Sequence, residues 1–385
     1  MLELTKILRD IDSLGRERAD TISGLHAELA KADAVISRIG EDLDTARARI
    51  ATAKTSWLTA SFDEPPDKVY DLPVMSPSHA VVAVDGSQIT PDKNEVTLCF
   101  LLNVASITLY YGTGNRPSAR SVPKLCFRDE DLYEVYNGQR VQITDKLLGM
   151  RRTLTESAEL EYAIHMASKA EVPVVALWDG SLIRWSLANE PADYKKKVLD
   201  EYLRLFDLAR DLRVPIAGYV SDPGSRDFIN SMKIMLCEHE TVDCDKCTDD
   251  VKPCDAIGRL KDTFIFNKRL AGGKRSVLFT SGSKILKDYR EHNVRAFYLD
   301  TGRETARIEV PEWVANDPEL INLTHAVCCD QAQKGRGYPV ALAEAHEHAV
   351  VRGPERAAFY EMIERSFIKH GAPISRSMKR ISKNY

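Results

Sequence analysis

Asp85 and Asp179 lie far apart in the chain but occupy the same place in the same short pattern, A-V-V-A-V-D-G-S-Q and V-V-A-L-W-D-G-S-L. Each follows an apolar run, Ala80 to Val84 and Val174 to Trp178, whose β-branched residues favour a buried strand. Gly86 would let the backbone turn sharply behind the first carboxylate. Either Asp-Gly alone reads as an ordinary turn. Two neighbouring strands that both end this way would hold two carboxylates side by side. Such a pair repels itself unless a hard divalent cation binds between its members.

A second constellation is sulfur-rich. Cys237, Cys244, Cys247 and Cys254 follow the spacing C-x6-C-x2-C-x6-C. The central C-x2-C offers two thiolates from one tight turn, and the outer pair closes a four-coordinate site. Structural zinc suits it, with an iron–sulfur cluster as the alternative and His239 as a substitute ligand. The bland reading is a solvated insertion with reduced thiols. Four thiolates leave no open coordination position, so the loop is given no catalytic role. Cys99, Cys126, Cys328 and Cys329 read as core residues.

At 385 residues, with 44 % apolar and 29 % charged residues, the chain has the composition of a soluble globular protein. Its net charge of -4 neither suggests nor excludes a nucleic-acid partner. No apolar run approaches the roughly 20 residues that span a bilayer, and the charged N-terminus lacks a signal-peptide core. The expectation is a cytoplasmic protein without a membrane partner. The one Gly-rich candidate for a nucleotide loop, A-G-G-K-R-S, lacks the first Gly of a P-loop and has Arg after its Lys.

The elements that must position these groups follow from periodicity. Residues 2 to about 57 are expected to be helical, with an apolar seam from Ile22 through Ile36, Ile39 and Ile50 to Ala53. A helical hairpin, a dimerising coiled-coil arm and a long helix packed on its own domain all suit that seam. The expected organisation is an arm over 1–60 and one domain over 75–385, with the Cys-rich insertion at 237–254. Residues 95 to 111 read as an antiparallel pair of strands, 112 to 142 carry little signal, and Leu147 to Lys169 reads as a helix. The order strand, strand, strand, helix, strand, helix, strand over 80 to 220 is that of a ribonuclease-H-like fold, an α/β mixed sheet flanked by helices. There the first and fourth strands are parallel neighbours and a helix above them carries a further carboxylate. Glu161 is the chosen candidate, with Glu156 and Glu159 as rivals. His346 sits on a helix that starts near Pro339, and the tail from 375 to 383 suits either phosphate contacts, through Lys379 and Arg380, or plain solvation.

Three stretches in this order, V-D-G-S-Q, W-D-G-S-L and D-x7-Y-P-x2-L-x2-A-H, resemble the NurA nuclease family. The resemblance implies a ribonuclease-H-like core, a homodimer, and cleavage of DNA with manganese or magnesium, up to two ions per site. It implies 5'-3' exonuclease or single-strand endonuclease activity beside a HerA-type hexameric ATPase, in DNA end resection, recombinational repair or defence. Carried to this chain, it makes Asp85, Asp179 and Glu161 metal ligands, brings Tyr338 and His346 to the same site, where His346 is a candidate to complete a metal's shell or to shuttle a proton, and makes Asp330 and Arg336 candidates for metal and phosphate contact. The cysteine cluster lies outside the family pattern. The alternative is a non-catalytic adaptor with a degenerate nuclease core, docking a partner through its arm and metal-stapled loop.

Overall fold

The computed structural model describes residues 3–91 and 97–372, without the side chains of 19–23. The chain forms two compact units. One comprises Met1–Leu72, Val220–Ser283 and Val294–Ile308, the other Pro73–Tyr219, Lys284–Asn293 and Glu309–Tyr385.

The first unit opens with helices α1 (Leu8–Glu41) and α2 (Leu43–Thr52), separated at Asp42, whose side chain caps α2 by accepting from the Thr45 amide. The seam packs within its own unit over its second half. Ala32, Ile36, Ile39, Ala46 and Ile50 are buried in one core with Phe62, Phe228, Phe266 and Phe279. Leu4, Leu8, Ile11 and Leu14 near the start are exposed. Two short strands follow, β1 (Ala60–Phe62) and β2 (Val69–Tyr70).

The second unit begins with β3 (His79–Ile89), β4 (Phe100–Tyr111) and β5 (Ser118–Cys126). A short helix α3 (Asp129–Leu132) and the hairpin β6 (Tyr133–Tyr136) and β7 (Gln139–Gln142) lead to the long helix α4 (Asp145–Ala167), capped by Thr144. Then come β8 (Val174–Asp179), α5 (Ala192–Asp211) and β9 (Ile216–Val220). Within this unit the strand order is β9-β8-β3-β4-β5. Strands β3, β8 and β9 run parallel, while β4 and β5 are antiparallel additions. Ala80–Val84 and Val174–Trp178 are buried throughout, as parallel strands covered on both faces should be. This is the ribonuclease-H-like order of elements.

Two details depart from expectation. Residues 100 to 111 form one long strand rather than a hairpin, paired along 101–111 by β3 on one side and along 100–108 by β5 on the other; 92–96 lie outside the described residues. The third strand is β5, in the stretch that carried little signal. It is an edge strand, exposed along most of its length and containing Pro123, so it needs no apolar alternation.

The chain then returns to the first unit with α6 (Asp227–Leu236), α7 (Asp262–Arg269), β10 (Arg275–Ser276), β11 (Phe279–Ser281) and β12 (Val294–Asp300). After β13 (Thr305–Pro311) come α8 (Glu312–Ala315), α9 (Pro318–Lys334), α10 (Val340–Ala349) and α11 (Gly353–Lys369). Among the described residues no helix is long and apolar enough to cross a membrane.

Candidate active site

The parallel ladder between β3 and β8 ends with Val84 opposite Trp178. One step further along are Asp85 and Asp179, on strands about 4.8 Å apart. The two Asp-Gly pairs nevertheless differ. Strand β8 stops at Asp179, and Gly180 turns the chain with φ +82°. Strand β3 runs straight on, Gly86 pairing with Val104 and Ser87 with Asn103. Gly86 is therefore not a turn residue. A Cβ placed on it would stand 2.5 Å from Glu156 Oε1 and 3.1 Å from Arg152 Cγ, so its bare backbone admits the side chains of α4.

Successive strand residues face opposite sides of a sheet. Asp85 and Ser87 face α10: His346 donates from Nδ1 to Asp85 Oδ2 at 2.8 Å, and the Ser87 hydroxyl donates to the Ala349 carbonyl. Asn103 donates to the same carbonyl at 2.8 Å, fastening the end of α10 to the sheet. The Tyr338 hydroxyl donates to Asp179 Oδ1 at 2.7 Å, and its ring meets Tyr219 edge-on at 5.6 Å. The loop that presents Tyr338 is tight. A Cβ on Gly335 would stand 1.8 Å from the Tyr338 carbonyl, and Gln331 accepts from the Ala341 amide at the start of α10.

From the other face comes Glu156, buried to 8 % exposure. Burial pushes its carboxyl up to about 7; Arg152 beside it at 3.2 Å opposes the shift, while Asp85 and Asp179 add to it. Glu156, not Glu161, is thus the α4 carboxylate that feels both aspartates. Five residues further on, about 140° around the helix, Glu161 lies beside Arg204 of α5 and feels Glu201. Glu159 is taken up by the Ser106 hydroxyl at 2.7 Å and Arg120 at 2.6 Å. Asp330 pairs with Lys334 at 2.6 Å, and Arg336 is exposed two residues before Tyr338. Lys379 and Arg380 lie outside the described residues. Sequence reasoning missed Glu309, buried to 1 %, which accepts from the Ser181 hydroxyl at 2.7 Å and the Leu182 amide at 2.8 Å and so sets the loop after Asp179.

The three carboxylates offer the oxygen donors that magnesium and manganese both accept, and the imidazole adds a nitrogen donor. Burial is the main reason the Glu156 carboxyl is raised, and Asp85 and Asp179 add to it; a cation held among the three would offset that like-charge part. No three of these donors lie within 4.8 Å of one another; among the described residues the trios that do are His239, Cys247, Asp249 and Asp207, Glu291, His292.

In the first unit, Cys237, Cys244, Cys247, Cys254 and His239 line one cavity of about 160 Å³. Burial raises the Cys244 thiol, and the other three thiols raise it further. Arg49 of α2 donates to the carbonyls of Cys237 and His239, each at 2.7 Å, and Lys54 exchanges backbone hydrogen bonds with Val242 and Cys244.

The model of the NurA domain matches residues 79–351. The chain belongs to the NurA family of nucleases. No curated protein matches its sequence. Among solved structures it is similar to the NurA nuclease from Sulfolobus solfataricus, at 12% identity over 78% of this chain and 88% of that one, with a TM-score of 0.49. The catalytic domain of human endonuclease V is similar at 12% identity over 84% of this chain and 98% of that one, with a TM-score of 0.32. The NurA match spans all the carboxylates above, Tyr338 and His346, and includes the cysteine loop.

Proposed function

We propose that this NurA protein is a metal-dependent deoxyribonuclease whose site is Asp85, Asp179, Glu156, His346 and Tyr338. One observation carries the reading: two carboxylates on adjacent strand positions, each already bonded to a proton-bearing side chain, sit against a third carboxyl pushed up to about 7. Divalent ions bound there would supply charge neutralisation and an activated water for phosphodiester hydrolysis. Asp85 and Asp179 would hold them, with Glu156 joining once it gives up its proton. His346, oriented through Nδ1 by Asp85, keeps its other ring nitrogen either to complete an ion's shell or to pass a proton. Tyr338, held by Asp179, orients the phosphate. Manganese suits the set better than magnesium because of the imidazole.

The test is degradation of linear DNA by purified protein with manganese, with and without chelator, beside Asp179→Ala. Undiminished turnover by the variant would remove the site assignment. Absence of activity in every metal would favour the adaptor reading instead. The family also supports a homodimer, a HerA-type hexameric ATPase as partner, and a role in processing DNA ends for repair or defence; co-elution with such an ATPase checks this.

For the cysteine loop the reading is one structural zinc held by Cys237, Cys244, Cys247 and Cys254. Its support is the shared cavity and the mutual effect of the thiols. A neighbouring trio, His239, Cys247 and Asp249, offers a second set of donors.

A further inference from the structure

Beside Asp179 a groove of about 550 Å³ runs between α4 and the loop that follows β8. Lys146 and Arg152 contribute to its α4 wall, Asp179 and Trp185 to the other. Trp185 keeps 37 % of its surface exposed. A single exposed aromatic side chain is ordinary, but this one is held in place. Its indole N–H donates to the Ser181 hydroxyl at 3.1 Å, and that hydroxyl donates to the buried Glu309 at 2.7 Å. The loop around it is pinned too. The Arg184 amide donates to the Tyr289 hydroxyl at 2.6 Å, and the Leu182 carbonyl accepts from Tyr289 and Tyr202 at 3.0 and 3.2 Å. A ring fixed before its partner arrives loses little freedom on binding.

We propose that this groove holds one unpaired nucleotide of the strand being cut, its base stacked on Trp185 and its phosphate near Arg152 and Lys146. The inference rests on the nuclease reading above and names the side chain, Trp185, that would hold an unpaired base beside Asp179. Inside a duplex each base face is covered by the next base. An indole face can therefore stack only on a base that is unpaired or turned out of the helix. Cations with an aromatic platform are what sequence-tolerant binding of a single strand requires. Lys146 is paired with Glu190 and Arg152 with Glu156, so a phosphate would compete with those carboxylates for the two cations.

The experiment measures binding of the full-length protein, in chelator so that no cleavage occurs, to fluorescein-labelled oligothymidylate and to a blunt duplex of equal length. Trp185→Phe keeps an aromatic face and Trp185→Leu keeps only apolar bulk; matching thermal melts show that both fold. The expected result is about tenfold or greater weakening for the single strand in Trp185→Leu, near-parental binding in Trp185→Phe, and duplex binding changed less than twofold. Equal single-strand affinity in Trp185→Leu and parent overturns the proposal, as does a parent protein that does not bind oligothymidylate. Because binding is read without cleavage, loss of the nuclease reading alone would leave a Trp185-dependent affinity in place.

Discussion

Glu156 stands where the side chain of any residue but glycine at position 86 would be: its Oε1 is 2.5 Å from the site of a Cβ on Gly86. The helix carboxyl thus packs directly on the bare backbone of Gly86, one residue past Asp85. Gly86→Ala is expected to push Glu156 aside. Nuclease turnover should fall by about tenfold or more, at an overpacking cost of about 1–3 kcal/mol. A thermal melt beside a rate measurement separates the two effects, and an Ala variant with parental turnover would mean that Glu156 is not a working part of the site.

The competing glutamates give a direct contrast. Glu156→Gln, Asp85→Asn and Asp179→Asn should each lower turnover at least about a hundredfold. Glu161→Gln should stay within about twofold, because it loses only a solvent-screened contact with Arg204 at 3.8 Å. Rates with saturating manganese check this. A large loss in Glu161→Gln would move the third carboxylate back to that residue.

His346→Ala and Tyr338→Phe remove a hydrogen bond to Asp85 and to Asp179, respectively. Each is expected to cost about tenfold to a hundredfold in turnover with little change in melting temperature, since both side chains lie at the edge of the fold. Parental rates in both would return them to structural roles.

Glu156 also sets a pH dependence. An ordinary glutamate titrates at 4.5, and burial first, then Asp85 and Asp179 against Arg152, raises this one to about 7. Between those values the folded, metal-free protein binds more protons than the unfolded chain. Its stability should therefore fall as pH rises from about 4.5 to about 7 and level off above. Manganese takes the carboxylate form, so its affinity should climb over the upper part of the same range, with about one proton released per site near pH 6. Calorimetry in two buffers of different ionisation heat measures that proton. Glu156→Gln should abolish it; an unchanged proton count would assign the release elsewhere.

The cysteine loop should hold about one zinc per chain, measurable by elemental analysis. Replacing Cys244 and Cys247 by Ser should remove the metal and lower the melting temperature by about 5 °C or more. Iron with inorganic sulfide in that analysis would replace zinc by a cluster, and a metal-free loop would end the assignment.

Much of this protein was legible before any coordinates. The two D-G-S strands announce themselves because a strand covered on both faces must be apolar throughout. The four cysteines are legible because their spacing carries the pairing chemistry within one short stretch. The Tyr338 to His346 run is legible through a family's pattern. β5 was invisible, since an edge strand needs no such pattern, and so was the choice among Glu156, Glu159 and Glu161.

The residue types and their order thus determined the class of fold and the carboxylates available for metal chemistry. Tertiary structure alone decided which glutamate faces the aspartates, why position 86 is glycine, and that Glu309 holds Trp185 beside them through Ser181. Those outcomes depend on how a helix is rotated over a sheet and on contacts between residues distant in the chain. Neither leaves a local signature, because periodicity and propensity report only the neighbours of a residue along its own segment.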